Sequence, residues 1–267
     1  MWGSSDFLGG LASRRAAAFG VVLVVQVGGA VLAFGLAQAS GEGIGTPDTW
    51  ALPAVAGLGG GVGLLALYHG LGVGRMGIVA PVTGLLAAAL PVAAGTVRDG
   101  IPGPTLIAGI ALALVAVVVV SRVAGGSGRR SGLEFGIVAG FGFAAFNIAV
   151  GFLPDDASFA PLVPLKLGAA ALIAVVVVAG RRTWTLPRPV LPLAIGAAVL
   201  DLAGNAFYVL ATQAGRLDVA VTLSSLYPVT TVILAALILR ERMSRPHAVG
   251  IVMAGVAIVL ISAGSAA

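Results

Sequence analysis

Residues 17–38 read AAFGVVLVVQVGGAVLAFGLAQ, twenty-two positions without a charged side chain. A helix of about 20 apolar residues, rising about 1.5 Å per residue, covers the roughly 30 Å hydrocarbon core of a bilayer. This run is therefore long enough to cross a membrane. Working outward, the same reading predicts spans at 51–73, 76–97, 104–122, 133–153, 158–180, 188–212, 218–239 and 246–264. A tenth, abbreviated helix occupies residues 1–12 and is closed by Arg14 and Arg15. It carries Asp6 where a signal peptide would need its apolar core and has no basic segment before it, so it is expected to stay in the mature chain.

Composition agrees with the helices. The 267 residues are 59% hydrophobic and 9% charged, against about a quarter charged in soluble domains. Forty glycines and fourteen prolines lie within Ala/Val/Leu runs, where membrane helices tolerate them and where glycine lets backbones approach. The net charge of +5 does not point to nucleic acid, because the arginines are scattered in twos and threes between apolar runs. The chain has no cysteine and only two histidines, His69 and His247, which excludes disulfides, thiolate chemistry and a multi-histidine metal site. No metal, cofactor or catalytic residue is expected.

Shifting the chain by 141 residues places Gly74-Arg75 on Gly215-Arg216, Leu85 on Leu226, Gly109-Ile110 on Gly250-Ile251 and Ser121 on Ser262. Identities alone are weak in so biased a composition, but the helix boundaries move with them: 17–38 falls on 158–179, 51–73 on 192–214 and 104–122 on 245–263. Five helices repeat as five helices, giving two units, 1–126 and 127–267. An odd number of spans per unit inserts the second upside down relative to the first, the inverted-repeat arrangement of secondary transporters. The shift sets Asp6 on Asn147, well inside its helix, so the first helix is expected to lack eight or nine N-terminal residues and Met1 to be a misassigned start or a truncation.

Loops after alternate helices hold Arg14, Arg15, Arg75, Arg122, Arg129, Arg130, Arg181, Arg182, Arg188, Arg240, Arg242 and Arg245, whereas the opposite loops hold Arg98 and Arg216. The arginine-rich side is expected to face the cytoplasm, which puts both termini outside.

Ionisable and amide groups within spans are costly, and those present usually face a cavity or a partner. They are Asp6, Gln26, His69, Asn147, Lys166, Asp201 and Asn205. Counted along their helices, Lys166 and Asp201 share the outer half and are expected to pair, either as a staple between adjacent helices or as part of the pathway. Asp6, with no evident positive partner, is the better candidate for a protonatable or substrate-contacting carboxylate. Trp2, Tyr68, Phe146, Tyr208, Tyr227, Thr83, Ser224 and Ser225 are available to shape a pocket, although Tyr68 and Tyr208 also suit interface anchors. Pro81, Pro91 and Pro228 remove backbone donors and are expected to kink their helices. The glycines at 57, 59, 60, 61 and 63 lack a following Lys-Ser/Thr and read as a packing face, not a phosphate loop.

Several stretches resemble the EamA-type transporters of the drug/metabolite transporter superfamily: Trp2-Gly-Ser-Ser-Asp-Phe7, Gly74-Arg-Met-Gly-Ile-Val-Ala-Pro81, Gly215-Arg216 through Ser225-Leu-Tyr-Pro228, Arg240-Glu-Arg242 and Gly250. With the duplicated five-helix unit, the resemblance covers essentially the whole chain. It implies ten helices and a central cavity between the halves that passes small metabolites, amino acids or drugs. It places Trp2, Ser5, Asp6, Asn147, Asp201, Asn205 and Tyr227 on that cavity in preference to Lys166. It also implies both termini in the cytoplasm, against the arginine distribution.

The reading is a secondary transporter, exporter or permease, working by alternating access in the cell membrane, with proton coupling through Asp6 or Asp201. Its partners are a small-molecule substrate and the lipid bilayer. Few fixed charges favour neutral, zwitterionic or amphipathic solutes over polyanions. The alternatives are a lipid flippase or a non-transporting scaffold. An intramembrane enzyme fits less well, since the chain has no His-Glu-x-x-His, no Gly-x-Ser-x-Gly and no aspartates paired at helical spacing within a span.

Overall fold

The computed structural model describes residues 1–43, 45–99, 103–123, 131–150, 159–213, 227–240 and 245–265. These residues form ten α-helices and no strand: α1 Trp2–Ser13, α2 Ala18–Ala39, α3 Pro47–Val73, α4 Met76–Asp99, α5 Pro104–Val123, α6 Leu133–Val150, α7 Leu162–Ala179, α8 Leu191–Gln213, α9 Tyr227–Ile238 and α10 Arg245–Ser265. A 3₁₀ turn, Arg188–Val190, leads into α8. Residues Ala18–Ala39, Thr49–Val73, Leu162–Ala179 and Arg188–Tyr208 form helices long and apolar enough to cross a bilayer, and shorter apolar segments lie in α4, α5, α6, α9 and α10. The expected all-helical membrane fold is the one observed, with helix limits within a few residues of those read from the runs. The expected segment 218–226 lies outside the described residues.

Where limits differ, capping explains the difference. α3 starts at Pro47, earlier than the apolar run suggests, because proline suits the first helical position and the Thr49 hydroxyl accepts the Thr46 amide at 3.0 Å. α7 starts at Leu162, later than the run suggests. There the Glu42 carboxylate, from the α2–α3 connection, accepts the amides of Phe159 and Ala160, each at 2.9 Å. An anion on unpaired amides at a helix N-terminus is favoured by both the hydrogen bonds and the helix dipole.

Polarity is inverted relative to a soluble domain. Large apolar side chains such as Val178 and Leu237 are more than 70% exposed, whereas Ser5, Asp6, Gln26, Thr83, Lys166 and Thr231 are buried. Lipid is the solvent that accepts such a surface without penalty.

The interior is filled mainly by small residues, and the glycine run of α3 shows why. A Cβ on Gly57 would lie 2.0 Å from the Leu165 carbonyl oxygen, and one on Gly61 would lie 3.1 Å from Ala169 Cα, both on α7. A Cβ on Gly63 would lie 2.8 Å from the Phe143 ring, and one on Gly59 would lie 3.1 Å from the Gly142 carbonyl oxygen, both on α6. One helix thus presents two glycine faces to two neighbours, which is close packing and not ligand binding.

Helix pairing follows a pattern. α3 packs extensively on α6, α4 on α6 and α3 on α7; correspondingly α8 packs on α1, α9 on α1 and α8 on α2. Raising each label by five converts the first three pairs into the second three. The pairs α2–α7, α4–α9 and α5–α10 convert into themselves.

The ends of the helices collect the arginines. The Arg14 Nε donates to the Leu71 carbonyl at the end of α3, and the Arg75 amide donates to the Ser131 carbonyl ahead of α6. Gly20, at the start of α2, abuts the Trp184 carbonyl beyond Arg181 and Arg182. One end of the bundle therefore gathers Arg14, Arg15, Arg75, Arg181 and Arg182.

Candidate functional site

Helix α1 carries three of the expected site residues, and the α1–α3–α8–α9 junction surrounds them. Trp2 Nε1 donates to Asn205 Oδ1 on α8 at 3.1 Å. The indole stacks obliquely on Tyr208, ring centroids 5.7 Å apart, and meets Tyr227 of α9 edge-on at 6.2 Å. Such aromatic pairs are worth about 0.5–1.5 kcal/mol beyond their buried area. The indole lies against bare backbone: a Cβ on Gly204 would fall 2.4 Å from Trp2 Cδ1.

One turn further, Ser5 is fully buried. Its hydroxyl donates to the Ala197 carbonyl at 2.8 Å and lies 3.3 Å from the Tyr68 hydroxyl. A serine has a single proton, so Tyr68 must be the donor of the second bond. Tyr68 is fully buried, and its ring lies where a Cβ on Gly9 would be. The alternative of an interface anchor is therefore wrong for Tyr68: an aromatic near a helix end can equally turn inward, and Gly9 provides the space. This residue is the main member of the site that sequence reasoning undervalued: its partner is the Ser5 hydroxyl, and the Ala197 carbonyl that accepts from Ser5 leaves no trace in a sequence.

Asp6 is buried with 6% of its surface exposed, and its Oδ2 has no hydrogen-bond partner. It stands within electrostatic reach of Asp201 on α8 and of Tyr68 and Tyr227. Asp201 forms an ion pair with Lys166 of α7, as expected from their depths. The Lys166 stem runs along Gly29 of α2, where a Cβ would lie 3.3 Å from its Cδ. One turn away on α2, Gln26 is buried and its Oε1 is also without a partner.

Asn147 does not join this cluster. Its Nδ2 donates to the Ala87 carbonyl of α4 at 3.1 Å. Ala87 is four residues before Pro91, whose missing N–H leaves that carbonyl without its helical partner. Asn147 therefore repairs a proline break. Pro81 and Pro91 both lie inside α4, whereas Pro228 is the second residue of described α9 and packs on Gly84 of α4. Pro81 and Pro228 also line a small apolar cleft with Ile251 and Gly255 of α10. Thr83 returns its hydroxyl to the Val79 carbonyl at 2.8 Å and to Gly136 of α6 at 3.2 Å. His69 meets Phe135 edge-on at 4.6 Å. Ser224 and Ser225 lie outside the described residues, and among the described residues no three His, Cys, Asp or Glu side chains group as metal ligands.

The junction is thus a buried polar and aromatic patch between helices from both ends of the chain, with one carboxylate oxygen left over. No curated protein matches the sequence. A solved crystal structure shares the fold, with a TM-score of 0.62 over 98% of this chain and 96% of that one at 20% identity. The EamA-like transporter family matches residues 130–263, half of the chain and five of the ten helices, and the protein therefore belongs to that family of helical membrane transporters within the drug/metabolite transporter superfamily.

Proposed function

We propose that the protein is a secondary transporter that carries a small solute across the cell membrane by alternating access, the units 1–126 and 127–267 rocking about the α1–α3–α8–α9 junction. The observation that carries this reading is the junction itself. Trp2, Ser5 and Asp6 of α1 meet Tyr68 of α3, Asp201 and Asn205 of α8 and Tyr227 of α9, inside a bundle whose outer surface is apolar. Buried polar groups that mostly satisfy one another hold a closed state. The same groups, once separated by a rocking motion, become donors and acceptors for a solute.

Two roles divide the patch. Trp2 and Asn205, on helices from different units, form the contact that a solute replaces. Lys166 and Asp201, both from the second unit, hold α7 to α8 through either motion. Uphill movement draws on an ion gradient, and Asp6 is the carboxylate placed to take a coupling proton.

The test is solute exchange in proteoliposomes loaded with a mixture of amino acids, amines and other small metabolites. The expected result is saturable exchange of at least one soluble compound, reduced by about tenfold or more in Trp2→Ala and Asn205→Leu, as loss of one or two directed contacts implies. Movement of labelled lipid with no exchange of any soluble compound would assign the protein to lipid flipping instead.

A further inference from the structure

We infer that the loop after α7 binds the headgroup of an anionic phospholipid, held by Arg181, Arg182 and Arg188 beside Trp184. Such a site is independent of which solute the protein carries. The loop has a fixed shape. The Arg182 amide donates to the Val177 carbonyl at 2.9 Å and the Arg181 amide to the Val178 carbonyl at 3.3 Å, the paired bonds that close a helix around a left-handed residue. The same pair closes α2, from Glu42 to Ala37 and from Gly41 to Gln38, and there the left-handed residue is Gly41, at φ 71°. In α7 it is Arg181, at φ 47°, a conformation that a side chain opposes. The turn sends the chain across the start of α2, where the Trp184 carbonyl lies against Gly20 and Leu186 packs on the core.

What this anchored loop leaves outward is basic and aromatic. Arg181, Arg182 and Arg188 are exposed, no described residue pairs with their guanidiniums, and Trp184 is 56% exposed. Residues 181–189 include no acid, whereas the connection after α2, 40–46, holds Glu42 and no basic residue. Beneath the arginines runs an apolar lane. Val175 and Val178 of α7 are 63% and 76% exposed, and Arg181 and Arg182 follow Val178 by about one helical turn. An acyl chain lying along Val175 and Val178 brings its phosphate to the guanidiniums, whose forked donors match phosphate oxygens, with the indole at headgroup level. A free anion would leave the lane and the indole unused. A zwitterionic headgroup carries its own cation, whereas an anionic one supplies the charge that these unpaired guanidiniums lack. Because the loop follows α7 and rests on α2, the bound headgroup ties together helices from opposite halves of the chain.

The experiment is tryptophan quenching by brominated lipid, with the full chain reconstituted in phosphatidylcholine vesicles containing a minority of phosphatidylglycerol. Bromine is carried on the acyl chains of either the phosphatidylglycerol or an equal fraction of the phosphatidylcholine, and the Trp184 signal is the part lost in Trp184→Phe. Brominated phosphatidylglycerol should quench Trp184 more strongly, and rising salt should weaken that preference. Arg181→Gln with Arg182→Gln should lower the relative affinity for phosphatidylglycerol at least about tenfold, since each basic residue at a membrane surface adds to the attraction. Arg181→Gly separates binding from folding, because glycine suits φ 47°: its thermal stability in detergent should equal or exceed that of wild type while its preference for phosphatidylglycerol falls. Inorganic phosphate should displace no more lipid than chloride of the same ionic strength. Equal quenching by the two lipids in wild type, or an undiminished preference in the double variant, overturns the inference. Displacement by inorganic phosphate beyond that by chloride also overturns it and assigns the arginines to a soluble anion.

Discussion

Lys166 and Asp201 are the residues at which a structural and a functional reading separate most cleanly. Both are largely buried, and the pair bridges α7 to α8 while Gly29 of α2 makes room for the lysine stem. Breaking a buried pair on one side leaves a bare charge and costs about 3–5 kcal/mol, whereas replacing both partners by apolar groups of similar volume is often neutral. Lys166→Met alone should therefore destabilise the purified protein severely, and Lys166→Met with Asp201→Leu should recover most of that loss in a thermal unfolding assay in detergent. If the pair is the staple proposed here, the double variant also retains exchange; a stable double variant with no exchange would move Lys166 and Asp201 into the solute pathway. The pairing is legible in the sequence, from two opposite charges at matching depth in a chain with few charges. The inward turn of Tyr68 was not legible, because its cause is the missing side chain of Gly9 on another helix, and glycines are too frequent here for one to stand out.

At the scale of elements, α4 depends on a neighbour for its integrity. Pro91 leaves the Ala87 carbonyl without a helical donor, and Asn147 of α6 supplies one at 3.1 Å. Removing that donor should cost about 1 kcal/mol, the usual net worth of one hydrogen bond. Pro91→Ala restores a helical N–H for the same carbonyl, so the cost of Asn147→Leu should nearly vanish in that background. A double-mutant cycle on thermal stability reads the coupling directly, and additive effects of the two changes would refute the repair. Helix limits were readable from runs of apolar residues because length and polarity decide a span. The exceptions at α3 and α7 were not, since Thr49 and Glu42 act through hydrogen bonds to particular backbone amides, and Glu42 reaches α7 across more than a hundred residues of sequence. The same limit applies to Asn147, whose polarity inside a span was visible while its partner, one carbonyl on α4, was not.

For the whole molecule, we propose that the chain is two sets of five helices entering the membrane in opposite senses. The proposal draws on the shared offset of the helix boundaries and on the pairing of α3–α6 with α8–α1, of α4–α6 with α9–α1 and of α3–α7 with α8–α2. What the sequence could not convey is how the two sets meet, because Ala, Gly and Val surfaces are nearly interchangeable along their length and register is set by a few glycine contacts in space. The chain contains no cysteine, so single cysteines can be placed without altering a background. Gly41, after α2, and Thr183, after α7, occupy corresponding loops of the two sets. In sealed vesicles of known orientation, Gly41→Cys and Thr183→Cys are expected to react with a membrane-impermeant maleimide from opposite sides, Thr183→Cys from the cytoplasmic one; labelling of both from the same side would contradict the inverted arrangement on which the proposed transport cycle rests.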